Sequence, residues 1–202
     1  MPLSMSAPTL PSIEPVAALL NDFRTTLRIL NLLRLYELLR SLILRETDTD
    51  LDRFTRTVLV AQACSYLNFQ VMESIMHLTD KQILPSSIVL RRGGPDAWMR
   101  WAFRSWLLAV SLDFVRLGWD AMKHRRPTMG STTIADRDSF AGVKEEIDHT
   151  WWAELQSSVA WLPVSLHLSL PHGLPGMNDG LMSLSSLLAE WPLCKAAWDA
   201  TS

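Results

Sequence analysis

Three groups of side chains in this sequence have the types and spacing to do chemistry. Asp48, Asp50 and Asp52 alternate as the first ligands of a calcium loop do, with carboxylates two residues apart converging on one cation. Such a loop needs glycine at its sixth place and glutamate at its twelfth. Arg53 and Leu59 stand there instead, so the triplet reads as a solvated acidic cap ahead of a helix. His77 and Asp80 lie one helical turn apart and can share a metal, but no further ligand follows at useful spacing, which favours a surface histidine. The third group is larger. Arg24, Arg28, Arg34 and Arg45 recur beside Ile29, Leu32, Leu33, Tyr36, Leu39, Ile43 and Leu44. A helix with this pattern lays its leucines among acyl chains and its guanidinium groups among anionic headgroups. Each arginine near such a surface contributes roughly 1 kcal/mol before screening. The same pattern also serves a bundle helix whose arginines form its solvated side.

Covalent and redox chemistry have no comparable candidates. There is no phosphate-cradling glycine loop, no Gly-x-Ser-x-Gly, no Cys-x-x-Cys and no His-Glu-x-x-His. We therefore expect no enzyme, no cofactor and no metal. Ser157, Ser158, Ser183, Ser185 and Ser186 are small residues that let helices approach closely, not nucleophiles. Cys64 and Cys194 lie far apart in apolar segments and read as reduced, buried thiols. A net charge of −2 gives no footprint for nucleic acid.

The elements that must position these side chains are helices. Val16 to Arg45 contains good helix formers and no interior Gly or Pro. At about 100° per residue its arginines share one half of the wheel with Asn31, Glu37 and Ser41. Arg40 falls on the apolar half, and Leu27, Leu30 and Leu38 fall on the polar half. A second helix is expected over about 51–79, without charge from Thr57 to Met72. A third runs from Asp96, placed as its N-cap after Gly93-Gly94-Pro95, to Arg126. It ends on a basic cluster, Arg116, Lys123, Arg125 and Arg126, suited either to headgroups or to the helix dipole. Arg100, Arg104, Asp113, Arg116 and Asp120 argue against a simple crossing, and a helix lying in the interface tolerates them better.

The divisions expected are a polar tail at 1–15, an amphipathic helical region at 16–126, a polar linker at 127–142 and a C-terminal unit at 143–202. Between Leu155 and Ala189 that last unit carries one charge, Asp179, where roughly seven would be ordinary. Its two apolar arms flank a turn containing Pro171, Gly173, Pro175, Gly176, Asn178, Asp179 and Gly180. Pro163 should kink or break the first arm, and a short last helix should run from Pro192 to Ala200. His167 and His172 beside the turn suit an interface or plain packing. Nine tryptophans against two tyrosines fit a membrane interface, or an ordinary core and surface. The expected fold is all-α: long amphipathic helices plus a C-terminal apolar helical hairpin, membrane-associated.

Four stretches together resemble the peroxin-11 family of peroxisomal membrane proliferation factors, in its fungal form. They are Leu27 to Arg40, Ala61 to Leu84, Trp101 to Asp120, and Gly173-Leu-Pro-Gly-Met-Asn-Asp-Gly-Leu181 running to Thr201. The resemblance implies a protein of the peroxisomal membrane that promotes elongation, proliferation and fission of the organelle. It implies that the Arg24–Arg45 helix binds acidic phospholipids, that the protein self-associates, and that fission machinery follows: a dynamin-related GTPase and its membrane adaptor. Two rival readings use the same surfaces. One is a soluble α-helical adaptor whose charge-poor hairpin is its core. The other is a channel-forming membrane protein passing small metabolites.

Overall fold

The computed structural model describes residues 14–44, 52–124 and 134–201, and these are all helical apart from turns. The helices are α1 (Glu14–Leu44), α2 (Arg53–Asp80), α3 (Ser87–Leu90), α4 (Gly94–His124), α5 (Ile134–Ser169) and α6 (Asp179–Asp199).

Local chemistry sets the ends. Arg56 donates to the carbonyls of Leu42 (2.9 Å) and Ile43 (3.0 Å), so the second helix closes the C-terminus of the first. Gln82 leaves α2 in the left-handed region at φ 61. Gly93 (φ 96) and Gly94 (φ 86) make the turn into α4 in conformations that side chains resist. The helix starts at Gly94 itself, because Pro95 sits in the first turn, where its missing N–H costs nothing. Asp96 thus lies inside the first turn, facing the helix dipole, and is not the cap.

Three boundaries differ from the sequence expectation. Residues 134–142, expected as linker, belong to α5, which carries no proline before Pro163. The helix also continues through Pro163 to Ser169. Pro192 likewise lies within a continuous α6, so no separate terminal helix forms. A proline strips the partner from the carbonyl four residues back. Here that carbonyl, of Leu188, accepts from the Gln156 side chain of α5 at 3.2 Å.

The long helices stand in an antiparallel row. Each packs substantially only on its sequence neighbours: α1 on α2, α2 on α4, α4 on α5 and α5 on α6. Polar pairs record the registers. Asp22 pairs with Lys81 and Arg28 with Glu73 between α1 and α2. Gln62 meets Asp113, Asn68 meets Ser105, and Trp98 Nε1 donates to the Met72 carbonyl between α2 and α4. Trp151 Nε1 donates to the Leu117 carbonyl between α4 and α5.

Close approach between helices comes from small residues. Ala102 and Ala109 on α4 and Ser165 on α5 are fully buried, and Ala63 is buried on the side of α2 that carries Arg56 and Gln70 to α1. Trp106 of α4 bridges both sides, with ring centroids 5.7 Å from Phe69 of α2 and 5.1 Å from Trp161 of α5.

A row does not close on itself as a bundle does. Ten apolar residues are buried, four of them alanine, while thirty large apolar side chains are exposed among the described residues. The apolar surface of this chain is therefore covered only in part by the chain itself.

Candidate functional site

The arginine–leucine helix α1 is turned differently from the sequence expectation. Arg28 points into the α1–α2 interface, where its guanidinium donates to both Glu73 carboxylate oxygens at 2.8 Å. Gln70 of α2 donates to the Arg28 carbonyl at 2.8 Å. Ile29, Leu32 and Leu39 are half-buried, and α2 is the neighbour that covers them. Much of the expected lipid side is thus a protein contact. The reason is nonlocal: α1 has leucines all round, and Glu73 and Gln70 on α2, with Lys81 just past its end, select which side docks. Leu33, Tyr36, Ile43 and Leu44 are exposed, as are Arg24 and Arg34. Arg24 also donates to Asn21 at 3.1 Å. Arg45 lies outside the described residues.

The basic cluster of α4 is also not a set of free cations. Arg116 donates to Glu154 of α5 at 2.9 Å and reaches Asp113 at 3.5 Å. Lys123 pairs with Asp52 at 3.2 Å and lies 5.6 Å from the Trp119 ring centroid. Arg125 and Arg126 lie outside the described residues, as do Asp48 and Asp50. Among the described residues no three His, Cys, Asp or Glu side chains come together as a metal group would require.

The network Gln62–Asp113–Arg116–Glu154 ties three helices together. Burial is the main influence on Asp113 and pushes its carboxyl above the ordinary range, against the pull of Gln62 and Arg116. A raised folded-state pKa means the fold prefers the neutral acid. Stability from this group is full below the unfolded pKa and declines as pH rises through the folded one. Asp113→Asn keeps an oxygen for Gln62 and leaves Arg116 its Glu154 partner. It should raise the thermal midpoint at about pH 7 and give a smaller gain at about pH 4, as read by circular dichroism.

The hairpin turn is knit around a histidine. His167 Nδ1 accepts from the Leu174 N–H at 2.8 Å, which fixes the orientation of the ring across the turn. The ring fills the space beside Gly173, where an added Cβ would come within 2.4 Å of its Cε1. Gly173 also holds φ 65. Pro171, Pro175 and Gly176 continue the turn, Asn178 caps α6 by accepting from the Leu181 N–H at 2.8 Å, and Asp179 and Gly180 open the helix. Gly173→Ala should therefore cost about 1 kcal/mol or more, seen as a lower thermal midpoint. A smaller cost of Gly173→Ala in a His167→Ala background than in the wild type would locate the clash on the ring.

Both cysteines are exposed, against the expectation of buried thiols, because no neighbouring helix covers their sides of α2 and α6.

The surface that sequence reading missed lies on α2 and α4. On α2, Phe54, Thr57, Ala61, Cys64, Asn68 and Val71 are exposed at alternating spacings of three and four, so they form one stripe. On α4, Trp101, Leu108, Val115 and Met122 are exposed at every seventh position, with Arg104 and Gly118 between them. The stripes adjoin. Phe54 lies 4.5 Å from Trp119 between ring centroids, and Asn68 Nδ2 donates to Ser105 at 2.6 Å. Of the stripe residues named here Arg104 alone is charged, and exposed Arg53 stands at the start of α2 one turn before Thr57; the Arg104 guanidinium lies 4.9 Å from the Trp101 ring centroid. Asp113 and Arg116, two of the five charges that argued against apolar surroundings for α4, are withdrawn into the network with Gln62 and Glu154.

No helix among the described residues is long and apolar enough to cross a membrane. Comparison with protein-family models, curated proteins and solved structures returns no match to this chain.

Proposed function

We propose that this protein lies in the interface of the peroxisomal membrane and remodels it mechanically, promoting elongation, proliferation and fission of the organelle without catalysing a reaction. The observation that carries the membrane part is the continuous charge-poor surface of α2 and α4. Phe54, Val71, Trp101, Leu108, Val115 and Met122 are each about half exposed there. Burying those exposed halves in acyl chains is worth on the order of 5–9 kcal/mol before ordering costs. Helices that lie flat also agree with the lack of a spanning helix among the described residues. An apolar face set into one leaflet expands that leaflet and bends the membrane. Acidic phospholipids are the lipid partners, met by Arg104 and by Arg24 and Arg34 of α1.

The organelle, self-association and recruitment of a dynamin-related GTPase with its adaptor rest on the sequence resemblance. Flotation of the full chain with acidic liposomes, followed by electron microscopy, tests the physical claim. Bound protein and narrowed tubules are expected. Protein left in the dense fraction favours the soluble adaptor instead. Co-localisation of a fluorescent fusion with a peroxisomal marker tests the address.

A further inference from the structure

The corner where α2 gives way to α4 gathers cations that no carboxylate answers. Arg91, Arg92, Arg100 and Arg104 stand there, and among the described residues none of the four is in an ion pair. The other charges of the corner are placed differently. Lys81 is taken by Asp22. Asp80 follows Glu73 by two turns, on the side of α2 away from Val71. Asp96 lies in the first turn of α4, where the helix dipole offsets its charge.

The four arginines converge on the first three turns of α4, about 15 Å of helix. A Cβ added at Gly93 would lie 3.1 Å from the Cβ of Ala97. Ala97 stands one turn before Trp101 and two before Arg104, so the turn carrying Arg91 and Arg92 lies against the side of α4 that carries Trp101 and Arg104. The Arg92 guanidinium rests 5.6 Å from the Trp98 ring centroid, and Arg100 precedes Arg104 by one turn. Each N–H from Ile88 to Gly93 already donates to a carbonyl of the same corner. The corner is thus preformed, and recognition falls to its side chains.

Apolar side chains surround these cations. Val89 is buried and pins α3 to α4, while Ile83, Leu90 and Trp101 are more than half exposed and Ile88 is exposed beside them. A soluble anion gains nothing from such surface, whereas a lipid offers phosphate and acyl chain together. A guanidinium fork pairs with two phosphate oxygens, and a diester phosphate holds a single charge. Four unanswered forks suit a terminal phosphomonoester, with about two charges and three acceptor oxygens. We propose that this corner binds a membrane lipid whose headgroup carries a phosphomonoester. Arg91, Arg92, Arg100 and Arg104 hold the phosphate, and Ile83, Ile88 and Leu90 enter the acyl chains around it. The proposal rests on the membrane reading above, and adds to it a headgroup class and the Trp101 end of the α2–α4 surface as its seat.

Co-sedimentation of the full chain with two vesicles of equal surface charge tests it. One is phosphatidylcholine with phosphatidylinositol 4-phosphate, the other phosphatidylcholine with phosphatidylglycerol. The phosphomonoester vesicles should bind at least about ten-fold more tightly. Arg91→Gln with Arg92→Gln should abolish that preference, with unchanged helicity by circular dichroism. Arg24→Gln with Arg34→Gln removes the same charge from α1; it should weaken binding to both vesicles and keep the preference. A preference kept by the corner variant, or lost by the α1 variant as well, would contradict the assignment.

Glycerol 3-phosphate without vesicles probes the soluble source of the same chemistry. Calorimetry should show no saturable binding. Saturable binding that Arg91→Gln with Arg92→Gln removes would make the corner a site for soluble phosphate and overturn the lipid assignment. Equal binding to the two vesicles sinks this inference alone, and binding to neither sinks the membrane reading with it.

Discussion

Leu108→Asp combined with Val115→Asp is expected to lower liposome partitioning of the full chain by at least about 100-fold, equivalent to about 2.7 kcal/mol. Both side chains stand in the middle of the α4 stripe and are about half exposed, so neither belongs to the buried core. The change removes apolar area from the surface proposed to enter lipid. It also adds two carboxylates where hydrocarbon solvates charge poorly. Co-sedimentation with acidic liposomes reads the loss, and circular dichroism shows whether the helices persist. Arg104→Gln is the electrostatic counterpart. It should cost about 1 kcal/mol on acidic membranes and little on neutral ones, because only the headgroup attraction is removed. Retention of full binding by the double aspartate variant would show that this surface is not the one that meets lipid.

Trp106→Ala carries the largest stability effect expected. The ring stands between Phe69 of α2 and Trp161 of α5, with Phe103 beside it at 6.4 Å between centroids. In a row, α4 is the link between the two ends of the molecule, and this ring is where three helices meet. Truncation leaves a cavity that the neighbours fill only in part. The cost should be about 3–5 kcal/mol, or a thermal midpoint lower by roughly 10–15 °C for a chain of this size. Trp106→Phe should recover most of it, since a ring of smaller volume keeps both aromatic contacts. Thermal melts of the three proteins in one detergent give the comparison. Equal midpoints would place the centre of stability elsewhere.

These two results concern features of different visibility in the sequence. The long helices follow from local rules: unbroken helix formers over α1, the Gly-Gly-Pro break before α4, and the glycine- and proline-rich turn before α6. All of these act within a few residues, so a single sequence displays them. Prolines deceived for a related reason. Pro192 should end a helix on local grounds, and the side chain that accommodates it, Gln156, comes from another helix.

The orientation of each helix was the least legible property. On the wheel, α1 divides into an arginine half and a leucine half. Its docking side is chosen instead by Glu73 and Gln70, some forty residues away. The same distance effect hid the α2–α4 surface. In sequence, Asp113 and Arg116 mark α4 as too polar for an apolar setting. In the fold they answer Gln62 and Glu154, and the stripe left outside keeps one arginine. The charge-free stretch from Thr57 to Met72 is plain in the sequence, but its junction with α4, through Phe54 on Trp119 and Asn68 on Ser105, exists only in the fold. His167 illustrates the point at short range: its partner is seven residues on, across a turn whose geometry no composition rule supplies.

The exposed thiol of Cys64 lies within the α2 stripe and offers the most direct test of the central claim. With Cys194→Ser in place, a nitroxide label at Cys64 can be read by electron paramagnetic resonance on full-length protein bound to acidic liposomes. The label should be reached by oxygen dissolved in the lipid and shielded from a water-soluble nickel complex. A label still fully open to the water-soluble relaxant on bound protein would contradict it, as would a chain that stays monomeric in plain buffer and leaves the liposomes untouched.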